Sequence, residues 1–269
     1  MTPGRSFFEG EPLILAHRGA SAYAPDHSLT AIRRALADGA DAIEADVHVT
    51  ADGHPVLHHG GDVSENTEAR GPVHGYSLAE LRALDAGHRW SPDGGATFPF
   101  RGRGERILTV AEALEAFPDA RFSLDVKVHA AARPTRRVID EHYAWDRVLL
   151  ASWFSWRRRP ALRGYPGARS ITLDQMLAFM FLHWARLDAL WTPPVDALQI
   201  PERYYGIPLM TPRLVRRAAA HGIRVHVWTV NDEADMVRLL SWGVKGLVTD
   251  RPDLAVRVRA RYLAERGAI

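Results

Sequence analysis

The sequence predicts an α/β fold, a (β/α)8 barrel of the TIM type carrying an extra β-hairpin strand and a small insertion between its second and third strands. Three observations predict it. Short apolar strands alternate with amphipathic helices along all 269 residues, the pattern of a parallel sheet covered by helices. Nine strand candidates are present, and one pair is joined by a helix-free Asp52-Gly53 turn, which makes one of the two a hairpin strand and leaves eight. Polar and charged residues gather at one end of otherwise apolar strands, as they do at the mouth of such barrels.

The strand candidates are residues 13–16 (LILA), 42–48, 55–58 (PVLH), 121–127 (RFSLDVK), 147–152 (RVLLAS), 169–173 (RSITL), 196–200 (DALQI), 224–229 (RVHVWT) and 246–249 (GLVT). Between and after them the 3.6-residue period predicts helices at 28–38, 78–84, 109–116, 132–142, 155–163, 174–190, 211–221, 232–241 and 252–265. Parallel neighbours need a crossover, so 55–58, which follows its predecessor through "TADGH", is the hairpin strand. The insertion, roughly 60–106, is rich in Gly, Asp, Pro and Arg ("SPDGGATFPFRGRGER"). Its Trp90, Phe98 and Phe100 predict an ordered loop packed over one barrel end within a single domain.

Composition narrows the function classes. A formal net charge of +2 is too small to argue for nucleic acid. With no cysteine, disulfides and thiolate metal sites are excluded, whereas a hard cation on oxygen ligands is not. The N-terminal apolar run is too short for a signal peptide, and no stretch is long enough for a spanning helix, so a cytoplasmic location is expected.

The stretch "DAIEADVH" at 41–48 alternates apolar and polar residues, so Glu44 and Asp46 point to one face of a strand. On a solvated face the pair means nothing. Beside Asp125 of the next barrel strand, three carboxylates crowd one region, and Mg2+ or Ca2+ would remove their repulsion. Of the thirteen histidines, His17 after the first strand and His59 after the hairpin strand are the candidates for a general acid and a general base. His58 and His59 are adjacent in an extended run, so only one of them faces the site. His48, His54 and His74 lie on loops or outer faces and receive no role. Arg18 and Lys127 add cations to the same mouth. They either pair with the carboxylates as a structural network or receive an anion, for which phosphate fits best.

These residues carry a resemblance. "AHRGASAYAPDHSLTAIRRALADGADAIEADVHVTADGHPVLHH" resembles the opening of the glycerophosphodiester phosphodiesterase family, which runs H-R-G, P-E-N-T, E-x-D on a strand, a T-x-D-G hairpin and then H-D. "LDVK", "VHVWTVND" and "GVKGLVTDRPDL" resemble its later strand motifs, so the likeness extends from His17 to Leu254. The resemblance implies a (β/α)8 barrel, one divalent cation, and hydrolysis of a glycerophosphodiester to sn-glycerol 3-phosphate and an alcohol. It implies Glu44, Asp46 and Asp125 as metal ligands, His17 and His59 as the acid–base pair, Arg18 and Lys127 on the phosphate, and Trp228 against the glycerol.

The sequence departs from that pattern at several positions. Asp26, His27 and Ser28 stand where the family has Glu, Asn and Thr, and Asp125 stands where it has Glu. Gly60 replaces the acid that follows the catalytic histidine, and Asp62 is the nearest carboxylate to compensate. Two alternatives follow. The apolar segment 176–191 ("MLAFMFLHWARLDALW") could meet acyl chains at a lipid surface, giving a lysophospholipase D, or could simply pack on neighbouring helices or on a second copy. The Gly60 departure could leave a catalytically impaired phosphoglyceride-binding barrel. A metal hydrolase acting on a non-phosphate substrate fits the Arg18/Lys127 pair less well.

Overall fold

In the computed structural model, residues 6–187 and 191–267 are described. Among the described residues, eleven strands and nine α-helices follow one another along the chain. The first half runs β1 (Leu13–His17), α1 (Leu29–Ala37), β2 (Ala42–Val49), β3 (Pro55–Leu57), α2 (Leu78–Arg82), α3 (Val110–Ala116), β4 (Arg121–Val126), α4 (His129–Glu141), β5 (Val148–Ala151) and α5 (Ser155–Leu162). The second half runs β6 (Ala168–Arg169), α6 (Leu173–Trp184), β7 (Ala197–Pro201), β8 (Arg203–Tyr204), β9 (Ile207–Pro208), α7 (Pro212–Ala220), β10 (Arg224–Trp228), α8 (Glu233–Ser241), β11 (Gly246–Thr249) and α9 (Pro252–Gly267).

Eight of these strands are parallel and follow the order β6-β5-β4-β2-β1-β11-β10-β7. An isolated parallel bridge, Ser170 to Ala197, joins the two ends and brings the sheet nearly to closure as a barrel. β3 lies antiparallel on β2, the hairpin expected of Asp52-Gly53. Among the described residues no helix is long and apolar enough to cross a membrane.

Strand parity determines what enters the barrel. Leu13 and Leu15, Ala42, Leu149 and Ala151, Ala168, Ala197 and Val248 form one buried cluster, closed from the N-terminal side by Phe7 and Phe8. Two residues further along the same faces come His17, Glu44 and Asp250, and two beyond Glu44 comes Asp46. Apolar side chains therefore fill the base, and the next inward positions emerge at the carboxyl end of the strands. His226 is an exception inside the barrel, fully buried. It fits because its neighbour is Gly246, where a Cβ would lie 2.6 Å from the imidazole ring.

Local chemistry explains the helix starts. Ser28 caps α1 by accepting from the Ala31 N–H, so it serves where the family's Thr would. Ser77 with Glu80 and Thr109 with Glu112 form capping boxes on α2 and α3. The helix expected over 174–190 ends at Trp184. Arg186 takes a positive φ of 61°, a turn that stops the helix, and residues 188–190 lie outside the described residues. The short β8–β9 hairpin was not anticipated, because two-residue strands leave no readable period.

The insertion folds on its own small core of Val56, Val63, Val73, Leu78, Leu81, Ala86 and Ile107. Trp90 meets Phe100 edge to face at 5.1 Å and donates its indole N–H to the Ser21 carbonyl at 3.1 Å. Phe98 takes the Arg101 guanidinium over its ring at 3.9 Å. The insertion thus leans on the loop after β1, which carries part of the site.

Candidate active site

Register brings the acids together. In the parallel ladder His17 pairs with Glu44, and Asp46 pairs with Asp125. Adjacent strands lie about 4.8 Å apart, so Asp46 and Asp125 are side by side. A cavity of about 260 Å³ opens above them. His17, Arg18, Glu44, Asp46, His59, Asp125, Lys127 and Trp228 all line it, so the eight residues expected to act on metal, phosphate, glycerol or protons reach one space.

His17 contacts Asp250 Oδ1 through Nδ1 at 2.7 Å, which leaves Nε2 facing Glu44 Oε2 at 4.0 Å. Asp250 is itself held by the Ser21 hydroxyl at 2.7 Å and the Asn231 amide at 2.5 Å. Burial works against ionisation of Asp250, but bonds from His17 and Ser21 outweigh it and hold the carboxyl at about 2. Burial alone would lower the His17 pKa; the bond to Asp250 and the Glu44 charge reverse that and raise it.

Arg18 adopts a left-handed backbone with φ 57°. Its N–H donates to the Glu44 carbonyl at 2.8 Å and its carbonyl accepts from His27 N–H at 2.9 Å, which holds the strained conformation. The guanidinium pairs with Asp26 at 2.9 Å and lies 3.3 Å from Asp46 Oδ2. Asp26 therefore orients the cation, although it is shorter than the family's Glu. Gly19 follows with φ 87°, and a Cβ there would lie 2.8 Å from the Ala31 backbone. Only glycine allows this loop to pack on α1.

His27 is fully enclosed, and burial lowers its pKa. Its Nε2 accepts the Asp46 backbone N–H at 3.0 Å, so the neutral ring anchors β2 rather than neutralising the Asp46 carboxylate. Burial opposes ionisation of Asp46, but the Lys127 ammonium and the Arg18 guanidinium hold it well below the usual carboxylate range. Lys127 Nζ bridges Asp46 Oδ1 at 2.6 Å and Asp125 Oδ2 at 2.7 Å. Burial would lower the Lys127 pKa, yet the Asp125, Asp46 and Glu44 charges raise it. Glu44 goes the other way: burial, then the Asp46 charge, pushes its carboxyl up.

His59, not His58, faces the cavity. His58 is buried and its Nδ1 bonds the Gly60 carbonyl at 2.8 Å. His48 is also buried, edge to face with His58 at 6.4 Å. Asp62 does not replace the acid missing at Gly60. It caps a 3-10 turn (Val63–Glu65), accepting from Ser64 N–H at 2.9 Å and Gly71 N–H at 3.1 Å. The carboxylate at His59 is Glu65, 3.0 Å from Nδ1. The opposite wall is apolar and aromatic, with Trp153, Ile171, Leu173, Met176, Tyr204 and Trp228. Sequence reasoning gave no role to Asp250, Ser21, Glu65, Trp153 or Tyr204. Asp250 was legible as an acid ending the last barrel strand; the others lie in loops, a 3-10 turn or a two-residue strand, none long enough to show a period.

The family-model comparison matches residues 17–254 to the "Glycerophosphoryl diester phosphodiesterase family". This chain belongs to that family. It is similar to "Probable glycerophosphodiester phosphodiesterase 1" of Mycobacterium tuberculosis, 42% identical, with 94% of each chain covered. It is also similar to "Probable glycerophosphodiester phosphodiesterase 2" of the same organism, 33% identical over 91% of this chain and 89% of that one. Among solved structures, an Oleispira antarctica phosphodiesterase in complex with the product sn-glycerol-3-phosphate superposes with a TM-score of 0.77 at 25% identity, covering 93% of this chain and 97% of that one. The phosphodiesterase domain of a Mycobacterium tuberculosis protein superposes at 0.80 and 22% identity, covering 93% and 99%, and shares the barrel fold.

Family membership implies a divalent cation. Among the described residues no three acid or histidine side chains are gathered as a ready metal cluster; Lys127 spans Asp46 and Asp125 instead. The donor set nevertheless suits a hard ion. Glu44 Oε2, Asp46 Oδ2 and Asp125 Oδ1 are buried and have no hydrogen-bond partner. Buried carboxylate oxygens without partners are costly, and oxygen-only ligation is what Mg2+ and Ca2+ take.

Proposed function

We propose that the protein hydrolyses glycerophosphodiesters to sn-glycerol 3-phosphate and an alcohol. The observation that carries this reading is a pair of histidines, His17 backed by Asp250 and His59 backed by Glu65, lining one cavity with three acids and two cations. Glu44, Asp46 and Asp125 would hold a Mg2+ or Ca2+ ion, which supplies charge neutralisation at the non-bridging phosphate oxygens. Arg18 and Lys127 attract and orient the phosphodiester and offset charge that builds in the transition state. Trp228 offers a flat face for the glycerol.

One histidine accepts a proton as the nucleophilic oxygen of water bonds to phosphorus. The other donates a proton to the departing alcohol oxygen as its bond to phosphorus breaks. Nδ1 of each ring is engaged by a carboxylate, so Nε2 is the atom available for transfer in each case. A panel of glycerophosphodiesters, assayed with and without chelator, tests the reading. Release of sn-glycerol 3-phosphate that stops in chelator and returns with Mg2+ or Ca2+ is the expected result. Undiminished hydrolysis in chelator would remove the metal from the scheme, and no hydrolysis of any diester would remove the reaction.

The apolar wall supports a second reading of the substrate. Leu173 and Met176 at the start of α6 line the cavity opposite the charges. A lysophospholipid would place its headgroup among the charges and its chain along this wall, giving a lysophospholipase D. Met176→Glu should then reduce turnover of lysophosphatidylcholine about tenfold or more while sparing glycerophosphocholine. Equal effects on both substrates would refute the acyl-chain reading.

A further inference from the structure

We propose that Glu65 is the positioning residue for His59 and replaces in space the acid that Gly60 lacks. Glu65 Oε2 lies 3.0 Å from His59 Nδ1. A Cβ built on Gly60 would lie 1.6 Å from Glu65 Oε1 and 2.1 Å from its carboxyl carbon. A side chain at 60 and this placement of Glu65 therefore exclude each other. The carboxylate arrives from a different part of the backbone, the 3-10 turn Val63–Glu65, which is pinned by the Asp62 cap and by buried Val63. The pair is about 40% exposed at each partner, too open to add much to stability. Its effect is to fix the ring, with Nε2 toward the cavity, as Asp250 does for His17. The two imidazoles thus receive matching support from carboxylates on separate segments of the chain.

This inference rests on the proposed acid–base role of His59, and the test separates the two. Steady-state kinetics on glycerophosphocholine are compared for His59→Ala, Glu65→Gln, Gly60→Asp and the double variant Glu65→Ala/Gly60→Asp. Glu65→Gln should lower kcat about tenfold, with KM within a factor of about two, since a positioning group acts on the transition state. Gly60→Asp alone should be impaired because its side chain displaces Glu65, and the double variant should recover most of the wild-type kcat. That sign reversal is not expected of a residue that merely holds the loop. Wild-type kcat in Glu65→Gln, or no recovery in the double variant, would overturn the proposal while a dead His59→Ala kept the function. Near-normal turnover of His59→Ala would instead bring down the acid–base reading and this inference with it.

A different observation carries a second proposal. Residues 153–217 contain ten arginines, no lysine, three aspartates and one glutamate, a net of +6 in a chain whose total is +2. This segment contributes α5, α6, the β8–β9 hairpin and most of α7. It also carries most of the exposed large apolar side chains, among them Trp156, Leu177, Phe181, Trp184, Tyr205 and Ile207, with Tyr205 at 89%. Leu177, Phe181 and Trp184 follow one another at i, i+4 and i+7 on one face of α6. Aromatic contacts connect the β8–β9 hairpin of this segment to the cavity, from Trp228 to Trp153 at 6.1 Å, on to Tyr204 at 6.2 Å, and on to Tyr205 at 4.6 Å.

The geometry points to an anionic lipid surface as the occupant of this face. Exposed Trp and Tyr interleaved with Arg suit the headgroup boundary, where apolar rings enter and guanidinium groups meet phosphate. A second copy docked by the same face would set exposed arginines of this segment, such as Arg159, Arg186 and Arg203, against their own counterparts. Flotation with vesicles of phosphatidylcholine alone, or mixed with phosphatidylglycerol, tests it. Binding should be about tenfold or more stronger on the anionic vesicles and should weaken with salt. Phe181→Asp/Trp184→Asp/Tyr205→Asp should abolish it without changing turnover of glycerophosphocholine. No binding to either vesicle, or binding untouched by that triple variant, would overturn the proposal. So would a concentration-dependent dimer, seen by sedimentation velocity, that the same variant disrupts.

Discussion

At the scale of single residues, the site is a set of polar atoms whose partners decide their use. Asp250 is separated from His17 by 233 positions, yet its carboxylate sets which ring nitrogen faces the cavity. Asp250→Asn keeps the shape and removes the charge, so kcat should fall about 10²-fold while the fold persists. His17→Ala should cost at least as much, on the order of 10²-fold or more. Stopped assays on glycerophosphocholine, with circular dichroism to check folding, measure both. Near-normal turnover of either variant would move the proton-transfer role elsewhere. The departures from the family pattern also become intelligible at this scale. Asp26 reaches Arg18, Ser28 caps α1, and His27 accepts the Asp46 N–H, so each position keeps a structural duty with a different atom.

At the scale of elements, the joint between β1 and α1 is the most exacting part of the design. Gly19 presses on Ala31 and Ser28 caps the helix, so the loop holding His17 and Arg18 is clamped at both ends. Ser28→Ala removes one cap bond and should destabilise by about 1 kcal/mol. Gly19→Ala must push α1 away and strain a positive φ, which should cost about 2 kcal/mol or more. Urea midpoints at constant slope measure these losses, and a Gly19→Ala variant as stable as the wild type would mean the loop can relax. Elements with several turns, such as α4 and α7, were readable because their apolar spacing persists. β6 has only two residues, Ala168–Arg169, and β8 and β9 have two each, so packing rather than periodicity forms them.

At the scale of the whole molecule, the barrel interior imposes a pH limit on stability. His226 is fully buried, and burial, then Arg224, pushes its pKa down to about 3. The unfolded chain takes up that proton near pH 6.5, while the folded chain stays neutral until far lower. The folded pKa is depressed for a base, so stability is greatest above pH 6.5 and falls as the pH drops toward 3. At pH 5 this group alone should cost about 2 kcal/mol relative to pH 7.5. Comparing the loss between those pH values for wild type and His226→Gln measures it. An equal loss in both proteins would show that His226 is not the buried base responsible.

The sequence by itself determined the eight-strand alternation, the hairpin at Asp52-Gly53, and the residue types that carry the chemistry. Those follow from local rules: side-chain parity along a strand, apolar spacing along a helix, and turn chemistry, each confined to a few neighbouring residues. Which carboxylate backs which histidine was decided only by the tertiary structure. Asp250 reaches His17 because β11 pairs with β1. Glu65 reaches His59 because a missing Cβ leaves space that a turn happens to fill. Contacts of that kind depend on strand register and on volume in three dimensions, and neither is encoded in the spacing of residues along the chain.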